Sequence, residues 1–242
     1  MIIASRELEV YQSCPARWKL LDQYPFIQPQ PSDYIQALKK TIYNMYAWLM
    51  SNNRFMSKKS VQAYWDHIWW ENGMNDDSIE DKKQIFQSAA DGYLLLEKFH
   101  TNIYKNPDYL PAGINFDFNY KNNHIDYKVH LDLILSDKDG RITYMELGGK
   151  RSEWQIFTSL ATKVEITGLV QTLDKPPIRK LHIDLASHKT NYKERVLQIT
   201  PEYAADAERT IVSVSDSISN NAVYTSWSES CKTCLVAGKC WY

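Results

Sequence analysis

Apolar residues recur at helical spacing over most of the first hundred positions and at strand spacing over much of the next hundred. Over 32–51, Ile35, Leu38, Ile42, Met45, Tyr46 and Leu49 follow three- and four-residue intervals and predict an amphipathic helix. Helices are likewise expected over 58–72 and 77–104. Ahead of them, Ser5 is placed to cap a short helix over 6–13, with Glu7 and Glu9 near the positive end of its dipole. Leu8 stands where a capping box would need an acid. Pro15 interrupts this helix directly after Cys14, and FIQPQPS reads as a proline-punctuated linker. The period changes near Pro111. From 114 to 147 apolar and polar residues alternate, rich in aromatic and β-branched types, which predicts three strands. A helix over about 152–173, strands in PPIRKLHIDLAS and ERVLQIT, and a helix from Pro201 to about 219 complete the pattern. The expected architecture is one α/β (α+β) domain, with a helical insertion at approximately 30–110 and a sheet-bearing core at 111–200.

Composition narrows this picture. A chain of 242 residues can bury a large core, and 44% hydrophobic with 24% charged residues is ordinary for a globular protein. A net charge of −1 argues against a basic nucleic-acid coat but leaves room for a local basic groove. No stretch approaches the roughly eighteen apolar residues of a membrane span. The start, MIIASRELEVYQSCP, lacks the pattern of a secretory leader, so a cytoplasmic chain with reduced thiols is expected. Eight Trp and sixteen Tyr are assigned mainly to core packing, with base stacking as the second use of a few.

The candidate chemistry lies in YKVHLDLILSDKDGRITYMELGGKR, residues 127–151. Strict alternation puts Val129, Leu131, Leu133 and Leu135 on one face, and His130, Asp132 and Ile134 on the other. Tyr144, Glu146, Gly148 and Lys150 share a face of the next strand. Lys138-Asp139-Gly140 closes the hairpin, with glycine at the left-handed position. In that register Asp132 faces Glu146, with β-carbons roughly 4.5–5.5 Å apart. Two carboxylates so close repel unless one is protonated or a hard divalent cation lies between them. Magnesium or manganese there would orient a water and polarise a phosphodiester. The other reading is a solvated hairpin with two unrelated acids. A second cluster closes the chain: SCKTCLVAGKCWY carries Cys231, Cys234 and Cys240, and the fourth cysteine is the distant Cys14. In a reducing compartment such thiols bind metal more often than they pair.

Asp132, a turn, and then Glu146-Leu147-Gly148 resembles the core of the PD-(D/E)XK nucleases. The opening SRELEVYQSCPARWKL, with Arg17 after the Cys-Pro pair, is similar to the RecB-type branch, and Gln155 matches the Gln of its Q-x-x-x-Y motif. Cys14 beside proline, followed by C-x2-C-x5-C at the end, resembles the iron–sulfur subgroup, which includes the AddB nuclease domain and CRISPR-associated exonucleases. The resemblance implies a restriction-endonuclease-like sheet and one [4Fe–4S] cluster held by Cys14, Cys231, Cys234 and Cys240, stapling the chain ends at 14 and 231–240. Zinc is the rival occupant, and free thiols or a disulfide pair are the remaining alternative. The resemblance covers most of the chain; 52–110 match only as a helical arm.

The resemblance further implies a metal-dependent DNA exonuclease acting on single-stranded ends. Asp132 and Glu146 would hold Mg2+ or Mn2+, assisted by His130. Lys150 would be the water-positioning cation and Gln155 a substrate- or carboxylate-orienting group. Lys39, Lys40, Lys58, Lys59, Arg151 and Lys189 are candidate phosphate contacts, with charged surface the default reading of each. The chain departs from the family pattern at three places. Gly148 replaces its lysine, Ser159 its tyrosine, and the early helix offers Tyr43 and Tyr46 but no histidine. His67 and His100 are read as surface or core histidines. The alternative is therefore a catalytically weakened or silent homologue that binds DNA or scaffolds a repair, CRISPR or phage complex. A zinc-stapled domain of unrelated chemistry is a further reading.

Overall fold

A computed structural model describes residues 1–5, 7–23, 33–71, 82–122, 125–173, 176–188 and 190–220. The FIQPQPS linker (its last residue, Ser32, included), Lys189 and the tail with Cys231, Cys234 and Cys240 lie outside them. The chain runs β1 (Ile2–Ala4), α1 (Glu7–Ser13), α2 (Pro15–Gln23), α3 (Asp33–Asn52), α4 (Lys58–Glu71) and α5 (Lys82–Phe99). A π-helical turn (His100–Tyr104) follows, then β2 (Leu110–Asn122), β3 (Ile125–Ser136), β4 (Ile142–Gly148), α6 (Glu153–Thr158) and α7 (Leu160–Thr172). β5 (Pro177–His188), β6 (Asn191–Gln198) and α8 (Pro201–Ser219) complete the order.

Three elements differ from the sequence expectation. Pro15 opens α2 instead of only ending α1, because its missing N–H is not needed at a first helical position. The helix expected over 152–173 is two helices. Ser159 is extended, and its hydroxyl accepts from Thr162 N at 3.2 Å to cap α7. β1 is too short to show a period and forms by pairing with β3.

The six strands form one mixed sheet. β2 pairs antiparallel along all of β3 and occupies one edge of it. The opposite edge is shared: β1 pairs in parallel with Asp126–Lys128, and β4 pairs antiparallel with Leu133–Ser136. β5 then joins β4 in parallel and β6 joins β5 antiparallel. The β3–β4 register is the expected one, with Leu133 opposite Met145. Gly140 takes the left-handed position (φ 72°), and the Asp137 carboxylate accepts from Asp139 N, Arg141 N and Arg141 Nε.

Helices cover both faces. On one, α3, α4 and α5 bury Leu38, Ile42, Met45, Trp65, Leu95 and Phe99 against Leu133, Leu135, Met145, Leu147, Leu181 and Ile183. On the other, α1, α7 and α8 bury Leu8, Val164, Leu169 and Ile211 against Tyr127, Val129, Leu131 and Tyr144. Trp65, Tyr46, Tyr104 and Phe99 are fully buried, so packing accounts for these rings. The arrangement is a mixed α/β (α+β) sheet with flanking helices, consistent with a restriction-endonuclease-like core.

The strict alternation expected in β3 fails at one place. Val129 and Leu131 pack toward α7, whereas Leu133 and Leu135 pack toward α3. β2 changes faces with it: Phe116 lies with the first group and Ile114 with the second. The change falls at Asp132 and, across from it, at Asn115, whose φ is 50°. A left-handed residue there breaks the two-residue repeat of both strands together.

Candidate functional site

The edge of β3 between its β1 and β4 partners has no ladder pairing among the described residues, and a cavity opens there. The β3–β4 ladder stops at Leu133–Met145, one pair short of Asp132–Glu146. Leu147 N then donates to Asp132 Oδ2 at 2.7 Å instead of to a strand carbonyl. The cavity measures ≈ 70 Å³ and is lined by Asp132, Glu146, Glu165, Glu9, His130 and Arg151 among others. That volume admits several waters or a hydrated ion.

Asp132 is 2% exposed and both its oxygens are engaged. Lys39 Nζ on α3 donates to Oδ1 at 2.9 Å and to Oδ2 at 3.2 Å, and the Tyr43 hydroxyl also donates to Oδ1. His130 Nε2 lies 3.9 Å from Oδ1, an ion-pair distance, while its Nδ1 meets Asp117 at 2.9 Å. Burial pushes the Asp132 carboxyl up, but His130, Lys39, Tyr43 and the Leu147 amide outweigh it and hold the pKa below its usual range. Asp132 and then Asp117 raise that of His130 against its desolvation.

Glu146 draws its partners from the other face of the sheet. Lys180 on β5 is completely buried, with Nζ 2.9 Å from Glu146 Oε2 and 2.7 Å from Glu165 Oε2 on α7. Its hydrogens also reach Thr162 Oγ1 at 2.9 Å. His182, two residues along β5, places Nδ1 3.3 Å from Glu146 Oε2. Arg151 Nη1 lies 3.2 Å from Glu146 Oε1, and Arg151 also pairs with Glu9 on α1. Burial raises the Glu146 carboxyl, yet Lys180, His182 and Arg151 drive it well below its ordinary value. Glu165 moves the opposite way: desolvation, reinforced by Glu146, exceeds the pull of Lys180 and raises it. Two acids on one ammonium thus divide into one firmly ionised and one that takes a proton more readily.

The expected site residues separate on this geometry. Asp132, Glu146 and His130 meet at the cavity. Lys150, expected on the strand face, stands two residues past the end of β4 and is exposed. Gln155 is exposed as well: its side chain accepts from Ser152 N at 2.7 Å, closing a capping box on α6. Ser159, where the family pattern has tyrosine, ties α7 to α1 by donating to Glu9 at 3.1 Å. Cys14 lies at the α1–α2 junction and accepts from Arg17 N at 3.4 Å. Among the candidate phosphate contacts, Lys39, Arg151 and Lys58 are in ion pairs, and Lys40 and Lys59 are exposed. His67 pairs with Glu71 on the surface, and the buried His100 bonds the Met56 carbonyl at 2.7 Å.

Sequence reasoning missed Lys180, His182 and Glu165. One signal was present: in KLHIDL, Lys180, His182 and Asp184 alternate with Leu181, Ile183 and Leu185 in a strand flanked on both sides. Charged groups on a strand covered on both faces call for partners.

Beside the cavity, Glu146 Oε2 and His182 Nδ1 lack a well-aligned hydrogen bond, and the Lys180 ammonium lies 2.9 Å from that Glu146 oxygen. The cavity's own Asp132, Glu146 and His130 are the donor types that take a divalent ion. Among the described residues, no group of three or more His, Cys, Asp or Glu is placed so as to hold a metal ion. On the Asp132 side, Lys39 already supplies a positive charge.

No protein-family model and no curated protein matches the sequence. Among solved structures, a "putative exonuclease" from Eubacterium rectale shares the fold, with a TM-score of 0.57 at 10% identity. The match covers 96% of this chain and 86% of that one. A protein designated SSO0001 superposes with a TM-score of 0.39 at 11% identity over 93% of each chain. Among the described residues, no helix is long and apolar enough to cross a membrane.

Proposed function

We propose that the chain is a metal-dependent DNA exonuclease of the RecB-like PD-(D/E)XK type, hydrolysing phosphodiesters at single-stranded ends. One observation carries the reading: a buried lysine, Lys180, is brought by β5 against Glu146 in the cavity that Asp132 also lines. The strand position that lacks a lysine, Gly148, is thereby answered from the neighbouring strand. Asp132 and Glu146 would hold Mg2+ or Mn2+, with His130 beside them. Such an ion activates a water and neutralises charge on the phosphoryl group. Lys180 keeps Glu146 ionised, Arg151 fixes its other oxygen, and Glu165 anchors Lys180 from behind. In this reading Lys150 and Gln155, both exposed, stand outside the reacting centre and contact the DNA strand. Cys14 would join Cys231, Cys234 and Cys240 around a [4Fe–4S] cluster. The amide of Arg17 on its sulfur suits a thiolate ligand.

The test is degradation of end-labelled single-stranded DNA by anaerobically purified full-length protein with Mn2+. Iron and sulfide are analysed on the same sample. Asp132→Ala and Glu146→Ala should abolish cleavage. Variants as active as the parent would remove the assignment.

A second reading has its own observation. Lys39 neutralises Asp132 as a bound cation would, which favours a silent homologue binding DNA or scaffolding a protein complex. It expects DNA or partner binding with no metal-dependent cleavage.

A further inference from the structure

Among the described tryptophans only Trp154 is exposed, at 71%. It stands on α6, three residues after Arg151 of the cavity wall. Phe157, 44% exposed, lies against one face of its ring, with centroids 6.1 Å apart and planes 26° apart. At this exposure the other face is open to solvent. Phe157 in turn packs on Tyr203 of α8 at 4.9 Å. The pair is firmly mounted although it is not covered. A capping box fixes the start of α6, the Tyr203 hydroxyl donates to the Phe157 carbonyl at 2.6 Å, and Gln12 Nε2 donates to the Thr158 carbonyl at 2.9 Å.

Core packing, which accounts for the buried rings, gives Trp154 no role. Exposing a ring of this size to water is unfavourable, and a flat open ring suits a ligand with a π-face. The charges nearby narrow the ligand. Lys150 is exposed just before α6 and offers an ammonium to a phosphate chain. Glu153, exposed beside Trp154, repels phosphate, so the part of the chain that lies over the ring is an uncharged base. Three Cα–Cα steps separate Arg151 from Trp154, at most about 11 Å. Stacked nucleotides advance about 3.4 Å each, so a strand with a phosphate at the cavity brings a base to Trp154 within about three nucleotides. Duplex DNA hides its base faces inside the stack, so only unpaired bases fit.

We infer that Trp154 and Phe157 form a stacking platform for a base of single-stranded DNA whose backbone approaches the cavity. This rests on the proposed reading of the cavity as a nuclease site. Every base has a π-face, so the platform holds a strand without reading its sequence. Its rings are neutral, so it adds affinity without adding to the salt dependence that phosphate contacts carry.

The test is binding of a fluorescent oligothymidylate of about 12 nucleotides to the full chain, read by anisotropy in EDTA so that no strand is cut. Trp154→Leu keeps an apolar side chain and removes the ring. It should weaken binding about five- to a hundredfold, the loss of one stacked base, with an unchanged slope against salt. Trp154→Phe keeps a ring and should stay within about threefold of the parent. On an abasic strand of the same length, the parent and Trp154→Leu should bind alike. If Trp154→Leu binds oligothymidylate as the parent does, or if the two differ as much on the abasic strand, the inference is overturned. A parent that self-associates, with a Trp154→Leu variant that does not but keeps its DNA affinity, assigns the face to a protein contact and overturns it too. Cleavage assays with Mn2+ on the same proteins separate it from the functional reading. A parent that binds through Trp154 without cutting DNA keeps the platform and loses the nuclease. A parent that cuts while Trp154→Leu binds normally does the reverse. A parent that binds no single strand overturns both.

Discussion

Lys180→Met removes the charge from a site that the chain has built around it. The ammonium is fully buried, contacts Glu146 at 2.9 Å and Glu165 at 2.7 Å, and lies 5.4 Å from the centre of the Tyr144 ring. Methionine preserves most of the volume, so the change isolates the charge. Removing one partner of a buried ion pair costs about 3–5 kcal/mol, because the other partner is left charged without compensation. For a chain of this length that lowers the melting temperature by roughly 10 °C. The penalty should depend on pH. In the parent, Glu146 has a lowered folded pKa, so its contribution is present above the unfolded value and is lost as pH falls through the folded one. Glu165 has a raised folded pKa, so its contribution is present at low pH and fades as pH rises through that value. Without Lys180 both carboxyls should behave like Glu165. The variant's deficit should be largest near pH 7 and shrink toward pH 5, where protonation removes the repulsion. Adding Glu165→Gln should recover part of the loss. Urea denaturation at both pH values measures all three proteins. A deficit below about 1 kcal/mol at pH 7, or one that grows toward pH 5, would refute the claim that Lys180 compensates two acids.

Three further expectations use the same measurement. Asp132→Asn should flatten the loss of stability on acidification below about pH 4, because the lowered pKa of Asp132 makes it one source of that loss. Gly92→Ala should cost about 1–3 kcal/mol and alter tryptophan fluorescence, since the new methyl would overlap Trp65 Cζ2. Gly149→Ala, with nothing within 4 Å, is the neutral comparison. Ser159→Ala should cost about 1 kcal/mol through loss of the α7 cap, together with the bond to Glu9.

Local sequence determined most of the elements here, because helix and strand periods are written in neighbouring residues. The α3 stripe of Leu38, Ile42, Met45 and Leu49, the Gly140 turn and the Leu133–Met145 register all follow from spacing and turn chemistry within a few residues. So does the nearness of Asp132 and Glu146, since one short hairpin joins them. The break in alternation at Asp132 was hidden, because it depends on Asn115 in a strand paired from outside the hairpin. The partners of the two acids were hidden for the same reason. Lys39 and Asp132 are 93 residues apart, and Lys180 reaches Glu146 only because β5 lies beside β4 in parallel. Periodicity tells which side of its own strand a residue occupies. Which charges it meets there is decided by strand order and by the helices laid over the sheet, and burial then makes those meetings strong enough to set the charge of each group.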